Sequence, residues 1–440
     1  MYSQFVFLVA AFALLVASPL FAGDSWPQFR GTEAGVGEGK NLPLKWDAKT
    51  NVAWSADVPG RGWSSPIVIN GKIFLTSVDR KGGFEDAKKG LYFGGDRSKP
   101  SAEEHRWVVL CFDFTTGKKL WEREVAKSNP QTPVHIKNTY ASETQVTDGR
   151  HIYSYFGCQG LYCHDLDGKL IWSRKFDPVP TKFGWGTAAS PVLFENKLFI
   201  VNDNEKDSYL LCLDKKDGNE LWKMSRDEKS NWATPYIWQH DGKAELVTSG
   251  AKRVRSYDLD GNVIWEMGGM SSLTIPTPFA KHGLLYVGSG YVLDSKKPLV
   301  AVKPGAKGDI SLKDGATSND FIAWSQKDAG PYNPSFLVYG DLLYVLYDRG
   351  FFACFEAKTG KPVYERQRLE GMFTVSPWAY DGKIFCLNED GDTHVLEAGR
   401  EYKVIGKNKL DEMCMATPAI VGDSLIVRTM GKLYRIRNKD

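Results

Sequence analysis

Short apolar segments separated by polar turns run through the whole chain. Runs such as Ile-Phe-Leu at residues 73–75 and Leu-Leu-Tyr at residues 342–344 follow turn signals such as Asn70-Gly71 and Gly340-Asp341. Few segments have the longer periodicity of an amphipathic helix. Short runs of this kind, bounded by Gly, Asn and Asp, are typical of β-strands joined by tight turns. The pattern predicts an all-β protein.

One segment of this pattern repeats along the chain. Residues 211–222 match residues 110–121 position for position: an apolar strand, an acidic residue, a turn glycine and a second strand that carries Trp. Variants of the same segment end at Trp172, Trp265 and Tyr364. Each copy predicts one β-hairpin, because the acidic residue and the glycine favour a turn between two alternating strands.

A second signal recurs before each repeat. A Ser or Thr next to a Pro stands about five residues before a turn, and an apolar strand follows. The pairs are Ser65-Pro66, Ser190-Pro191, Thr234-Pro235, Thr277-Pro278, Pro334-Ser335, Ser376-Pro377 and Thr417-Pro418. In the second repeat the run 141–145 replaces the pair. Together the two signals predict repeats of four strands, A to D.

The repeats predict an eight-bladed β-propeller of four-stranded antiparallel blades. The last repeat ends with about three strands, and a segment around Trp54 is an unassigned strand near the N-terminus. Pairing the two would close the ring with the N-terminal strand and remove exposed sheet edges. Residues 23–440 are therefore predicted to form one domain. Two insertions, 77–106 and 303–320, are predicted to be surface loops.

Residues at equivalent repeat positions are expected to be structural. The aromatic residue of strand D is predicted to fill the gap between neighbouring blades; it is Trp54, Trp121, Trp172, Trp222, Trp265, Trp324 or Tyr364. Four cysteines share one strand position and are expected to be free thiols, namely Cys111, Cys163, Cys212 and Cys354. Cys158, Cys386 and Cys414 lie elsewhere, and either packing or one reactive thiol is compatible with them.

The N-terminus and the charge balance indicate the compartment. Residues 1–22 contain a short apolar stretch that ends before Gly23-Asp24, which predicts a signal peptide, with a retained anchor helix as the alternative. We expect a periplasmic or secreted protein without an integral membrane span after cleavage. Lys and Arg number 56 and Asp and Glu 53, so the net charge of +3 favours no nucleic-acid partner.

The repeat resembles a known family. The pattern Asp-x-x-Thr-Gly-Lys-x-x-Trp, as in residues 113–121, is similar to the repeat of the propellers of the pyrroloquinoline quinone (PQQ) type, over essentially the whole mature chain. That family includes quinoprotein alcohol and glucose dehydrogenases and the propeller subunit of the outer-membrane β-barrel assembly machinery. The segment His-x-Lys-Asn-x-Tyr-Ala-Ser at residues 135–142 also resembles a group of secreted bacterial propellers. The resemblance implies the fold, but not the function.

Catalytic chemistry is not indicated by any motif. Quinoprotein dehydrogenases use a bound calcium ion and a base, and many carry adjacent cysteines, whereas this chain has no Cys-Cys pair and no matching constellation. Two acidic loops, 202–207 and 388–392, have oxygen ligands that suit calcium, or else are solvated turns. We therefore expect no catalytic residue, no metal and no cofactor. A PQQ-dependent alcohol or sugar oxidoreductase with calcium is the alternative.

A binding surface is predicted where the D-to-A and B-to-C connections meet, because both leave the blades on one face. These loops carry aromatic and amide side chains beside glycines, which suits a surface for a protein loop or a glycan, although the same side chains could instead plug the channel. The sequence thus predicts an exported, non-catalytic scaffold with an envelope protein or glycan as partner. The candidate binding residues are Arg61, Trp63, Lys137, Asn138, Tyr140, Trp185, Trp232 and Asn333.

Overall fold

A computed structural model describes residues 25–39, 41–92 and 94–438. The predicted signal peptide, residues 1–22, lies outside the described residues. Within them, the strands form eight sheets, and helix is confined to two short 3₁₀ turns, Gly157–Gln159 and Lys182–Gly184. The prediction of an all-β propeller with eight four-stranded antiparallel blades is confirmed.

The strands of blades 1 to 4 follow one another in chain order. Blade 1 consists of Ile67–Ile69, Lys72–Arg80, His105–Asp113 and Lys119–Ser128. Blade 2 consists of Val146–Thr147, His151–Tyr155, Leu161–Asp165 and Leu170–Arg174. Blade 3 consists of Val192–Phe194, Lys197–Asn202, Tyr209–Asp214 and Glu220–Ser225. Blade 4 consists of Tyr236–His240, Lys243–Ser249, Val254–Tyr257 and Val263–Met267.

Blades 5 to 8 repeat the arrangement. Blade 5 consists of Phe279–Lys281, Leu284–Gly288, Leu299–Val302 and Ile322–Gln326. Blade 6 consists of Leu337–Tyr339, Leu342–Leu346, Phe351–Glu356 and Pro362–Arg368. Blade 7 consists of Trp378–Tyr380, Lys383–Leu387, Asp392–Glu397 and Val404–Lys409. Blade 8 consists of Ala419–Val421, Ser424–Arg428 and Lys432–Ile436, and the N-terminal strand Val52–Asp57 pairs antiparallel with the last of these.

The two insertions differ from plain surface loops. The ends of the first insertion belong to the sheet, because strand B of blade 1 extends to Arg80 and strand C begins at His105. In the second insertion, Gly308–Asp309 pairs in parallel with Trp265 and Glu266 as a fifth strand of blade 4. The outer edge of a blade has unpaired backbone groups that such a segment can satisfy.

The Trp of strand D fills the seam between neighbouring blades. The indole N–H of Trp172 donates to the carbonyl of Lys215 in the next blade at 3.0 Å. The ring also lies against the turn glycine of that blade, where a Cβ on Gly218 would be 2.6 Å from it. The same bond to the next blade is made by Trp54, Trp121, Trp222 and Trp324. The repeated motif is thus a docking contact between blades.

The docking contact changes where the second insertion replaces the tight turn. Trp265 is fully buried and donates to Glu245 of its own blade instead of to a carbonyl of the next one.

The four equivalent cysteines follow the same repeat. Each thiol lies between an aromatic residue of strand B and one of strand D; for Cys212 these are Phe199 and Trp222. All seven cysteines are free, as predicted for the four equivalent ones.

A ring of hydroxyl groups joins the inner strands of the blades. The backbone N–H of Ser65 donates to Thr144 Oγ1, that of Thr144 to Ser190 Oγ, and that of Ser190 to Thr234 Oγ1. Thr277 donates to Ser335, Ser335 to Ser376, Ser376 to Thr417, and Thr417 to Ser65 Oγ in blade 1 at 3.1 Å. Among the described residues, only the seam between Thr234 and Thr277 lacks this bond. We call these eight residues the hydroxyl ring. The recurring Ser or Thr of the sequence is therefore the contact between blades at the channel.

Residues 26–37 cross the channel below the hydroxyl ring. Trp26 forms a β-bridge with Val68 in blade 1, and Val36 forms one with Ala379 in blade 7. Between them, Arg30 donates to the carbonyl of Phe336 in blade 6 at 2.7 Å. The segment therefore closes the channel on the side away from the D-to-A loops. The repeat analysis gave no indication of this plug, because it has no periodicity.

The docking contact predicts a specific glycine requirement. Replacing Gly218 with Ala places a Cβ against the Trp172 ring at a position with φ +74°. Gly242→Ala is the matched control, because Gly242 has φ +71° but no atom within 4 Å of its Cβ. Both variants carry the backbone strain of Ala at positive φ. We expect Gly218→Ala to lower the free energy of unfolding by about 1–3 kcal/mol more than Gly242→Ala in denaturant titrations. Equal losses would contradict the docking role.

Candidate functional site

A cavity lies in the channel, on the face that carries the D-to-A and B-to-C loops. Its volume is about 590 Å³, within the range of small-molecule sites. All eight members of the hydroxyl ring line it, and Phe29 of the N-terminal segment lines it too. The cavity is therefore surrounded by every blade.

Aromatic side chains form one wall of the cavity. The rings of Trp185 and Trp232 lie 5.5 Å apart, and those of Tyr291 and Tyr332 lie 5.1 Å apart. The indole N–H of Trp232 donates to the carbonyl of Gly186 at 2.7 Å, which fixes the ring. Trp63 and Trp232 are buried. They form the lining of the cavity rather than an open surface.

The first insertion crosses the mouth of the cavity. We call residues 81–104 the strap. The strap brings Gly90 to blade 7, where the Gly90 N–H donates to Glu389 Oε2 at 2.7 Å. Near its other end, Asp96 accepts the indole N–H of Trp185. Gly90 and Asp96 both line the cavity, so the strap forms part of its roof.

Lys137 and Asn138 position the strap and the neighbouring loop. Lys137 Nζ lies 2.7 Å from Glu389 Oε1 and donates to the carbonyl of Gly90 at 3.0 Å. The Asn138 amide donates to the carbonyls of Trp185 and Thr187, and its oxygen accepts from Thr139 and Ser142. Both side chains line the cavity, but their polar groups are occupied within the protein.

Asn333 and Trp63 are held in the same way. The Asn333 side chain and backbone N–H groups donate to Asp348, which is buried below the cavity wall. The indole N–H of Trp63 donates to the carbonyl of Lys137 at 2.9 Å. Six of the eight predicted residues therefore line the cavity, namely Trp63, Lys137, Asn138, Trp185, Trp232 and Asn333.

Two predicted residues lie outside the cavity lining. Arg61 pairs with Asp86 of the strap, and its guanidinium lies over the ring of Phe84. The Tyr140 ring packs against His105, and its hydroxyl donates to the carbonyl of Thr132. Both face the root of the strap, which folds back over blade 1. Their positions in the loops predicted that these two residues belong to the binding surface. The path of the strap depends on tertiary contacts, which loop positions do not reveal.

Burial changes the protonation of several groups near the cavity. Desolvation raises the pKa of Glu143 to about 7 and that of Asp348 to about 6. It lowers the pKa of His135 to about 4, so this ring is neutral at pH 7. His135 contacts the Trp185 ring edge-on and belongs to the aromatic wall.

Three arginines near the hydroxyl ring were missed by the sequence analysis. Arg349 is exposed and lines the cavity. Arg30 and Arg428 are buried, and desolvation lowers the pKa of each to about 9. No motif surrounds any of them. The only available signal was the position of Arg349 in a B-to-C turn.

The described residues show neither a candidate metal centre nor a candidate membrane span. Among them, no group of three or more His, Cys, Asp or Glu side chains could hold a metal ion. No helix of these residues is long and apolar enough to cross a bilayer.

The fold defines the class of the protein: it is an eight-bladed β-propeller, the fold that the resemblance implied. Residues 158–306 match the family model described as outer membrane protein assembly factor BamB. A search of curated proteins finds no match to the sequence.

Solved structures share the fold. BamB from Moraxella catarrhalis is 13% identical with a TM-score of 0.52, over 82% of this chain and 99% of that one. Quinohemoprotein alcohol dehydrogenase from Comamonas testosteroni is 11% identical with a TM-score of 0.58, over 95% of this chain and 81% of that one. The computationally designed Ika8 protein is 10% identical with a TM-score of 0.50, over 79% of this chain and all of that one. At such identities the likeness concerns the fold alone.

The buried Glu143 predicts a pH dependence of stability. Its carboxyl accepts from Thr187, and Tyr155 and Cys158 are its titratable neighbours. The folded state holds the proton up to about pH 7, whereas the ordinary pKa is 4.5. Its contribution to stability is therefore complete below pH 4.5 and is lost as the pH rises to about 7.

Replacing Glu143 with Gln keeps the acceptor and removes the titration. At pH 8 we expect Glu143→Gln to be more stable than the wild type by about 2–3 kcal/mol, with little difference at pH 4. Denaturant titrations across this pH range measure the effect. The exposed Glu365→Gln serves as the control and should leave the profile unchanged. A constant difference between wild type and Glu143→Gln at all pH values would contradict the raised pKa.

Proposed function

We propose that this chain is an exported, non-catalytic propeller of the cell envelope that binds a partner protein through the face carrying the cavity. The observation that supports this proposal is an apolar rim around an aromatic cavity. Phe183 is 52% exposed and Leu293 is 64% exposed, and both line the cavity mouth. Exposed apolar side chains beside a cavity are typical of a protein-binding surface.

The backbone at Phe183 supports a role in binding. Phe183 has φ 55° and ψ 15°, in the left-handed region that bulky residues rarely adopt. Its ring contacts Trp185 at 5.3 Å, so the exposed ring continues the aromatic wall to the surface. Local strain of this kind is found more often at functional sites than elsewhere.

A protein partner suits this face better than a glycan. Sugar recognition needs polar side chains that are free to exchange hydrogen bonds with hydroxyls. At the mouth of the cavity, the exposed side chains of Phe183 and Leu293 are apolar, and the polar groups of Lys137, Asn138 and Asn333 are bonded within the protein. The description of the matching family model, an outer membrane protein assembly factor, is also compatible with an envelope protein as partner.

The residues of the cavity do not fit a calcium-bound quinone. Calcium takes six to eight oxygen ligands, with carboxylates prominent among them. Asp96 is the one carboxylate among the described residues that line the cavity, and it accepts the indole N–H of Trp185. We derive no quinone chemistry for this chain.

The calcium mismatch leads to a simple expectation. A ligand that binds only the folded state must raise the midpoint of thermal unfolding. We expect calcium alone to leave this midpoint unchanged, and we expect the midpoint measured with pyrroloquinoline quinone to be the same with and without calcium. Magnesium at equal ionic strength is the control. A rise that requires calcium would favour the oxidoreductase alternative.

The proposed partner surface is tested by changing the rim without disturbing the core. We expect Phe183→Asn with Leu293→Ser to abolish the recovery of a partner that the full chain captures from cell envelopes after cross-linking. Asn is chosen at position 183 because it tolerates a left-handed backbone. Leu221→Ser is the matched control: Leu221 is 44% exposed, but it lies on the outer strand of blade 3. If rim and control variants recover the same proteins as the wild type, this face is not the binding surface.

A further inference from the structure

Every side-chain hydroxyl of the ring has an unused proton. The hydroxyl oxygens accept backbone N–H groups around the ring, or, at Thr277, make no hydrogen bond within the described residues. None of the eight hydroxyls donates to a described protein atom. A hydroxyl offers one donor besides its lone pairs, and buried donors require an acceptor. The eight residues are at most 9% exposed and all of them line the cavity.

Two buried guanidinium groups lie directly behind this ring and have no carboxylate partner. Arg428 donates to the carbonyl and hydroxyl of Ser64, the residue before Ser65, and its Nε and Nη2 have no partner. Arg30 donates to the carbonyl of Phe336, the residue after Ser335, and its Nε and Nη1 have no partner. A buried charge without a counter-charge is costly.

A third guanidinium lines the cavity itself. Arg349 is exposed, and no acceptor for its side chain is found among the described residues. The other cation of the lining, Lys137, is neutralised by Glu389, and the lining carboxylate Asp96 is bonded to Trp185. Arg349 is therefore the lining cation without a carboxylate partner among the described residues, and the unpaired guanidinium groups of Arg30 and Arg428 lie behind the circle of hydroxyl donors.

We propose that the hydroxyl ring and Arg349 form a receptor for a carboxylate, carried on an aromatic or apolar body that packs against the Trp185 and Trp232 wall. The carboxylate accepts hydrogen bonds from the ring hydroxyls and supplies the counter-charge that Arg30 and Arg428 lack. Charge-assisted hydrogen bonds of this kind are stronger than neutral ones. The inference deepens the proposed function, on which it rests, because it names the group that the cavity accepts.

The probe pair is benzoate and benzamide, which have the same shape and differ in charge. Full-length protein is titrated with each at constant ionic strength, and the midpoint of thermal unfolding and the heat of binding are recorded. We expect benzoate to bind at least about tenfold more tightly than benzamide. Crystals grown with 4-bromobenzoate should show its bromine anomalous signal inside the cavity.

Variants at two positions assign the binding to the proposed groups. Arg349→Gln is expected to weaken benzoate binding about tenfold, and Arg349→Lys less, with benzamide unaffected. Thr277→Val removes one hydroxyl donor without breaking a ring hydrogen bond, so it should weaken benzoate binding and leave the unfolding midpoint of the free protein unchanged. Arg150→Gln is the control, because Arg150 is exposed in the A-to-B turn of blade 2 on the opposite face.

The source of the carboxylate is distinguished by peptides. Acetyl-Phe-Glu-amide binding more tightly than benzoate, and more tightly than acetyl-Phe-Gln-amide, would assign the site to an acidic side chain of a partner loop. Tighter binding of benzoate than of either peptide would assign it to a free aromatic acid.

Two results would overturn the inference: equal binding of benzoate and benzamide, which means that water alone satisfies the ring, or benzoate binding that neither Arg349→Gln nor Thr277→Val changes. Either result leaves the proposed function standing if the rim variants still lose the partner. Loss of the rim effect with benzoate binding intact would instead contradict the proposed function.

Discussion

The arrangement of the blades depends on the hydrogen bonds between their inner strands. At the start of the inner strand, in seven of the eight blades, a Ser or Thr hydroxyl accepts a backbone N–H from the neighbouring blade, as between Ser335 and Ser376. A buried N–H without a partner costs about 1–3 kcal/mol. Because Thr417 donates to Ser65, the last blade bonds to the first. Among the described residues, the one seam without such a bond lies between Thr234 and Thr277. The same residues then form the wall of the cavity, so the contact that spaces the blades also defines the site.

A second contact, farther from the channel, fixes the seam at another radius. The Trp of strand D reaches over the turn glycine of the next blade, as Trp324 does at Gly360, and donates to a backbone carbonyl there. Two contacts at different radii set the angle between neighbouring blades. Where the second insertion replaces the turn, Trp265 bonds Glu245 and Gly308–Asp309 adds a strand, so backbone pairing replaces the lost contact.

The features that repeat were predictable from the sequence, and those that occur once were not. The hairpins, the Trp residues of strand D and the equivalent cysteines follow from local patterns that recur along the chain. The N-terminal plug and the strap have no period, and their positions depend on contacts with distant blades, such as Arg30 with Phe336 and Gly90 with Glu389. For the same reason Arg61 and Tyr140 were assigned to the cavity from their loops, although the strap keeps them at its root.

The charges at the centre differ in kind from the rest of the interior. Elsewhere a buried cation has its counter-charge, as Arg226 has in Asp203 at 2.7 Å. Arg30 and Arg428 have only carbonyl and hydroxyl acceptors, although an apolar residue could fill the same space at lower cost. Stability therefore does not account for them. Arg428 lies in blade 8, whereas Arg30 lies in the N-terminal segment and contacts blade 6; they share only their closeness to the hydroxyl ring. Their common effect is a positive potential at the centre of the propeller. This potential stabilises the carboxylate of the proposed ligand and does not stabilise the fold.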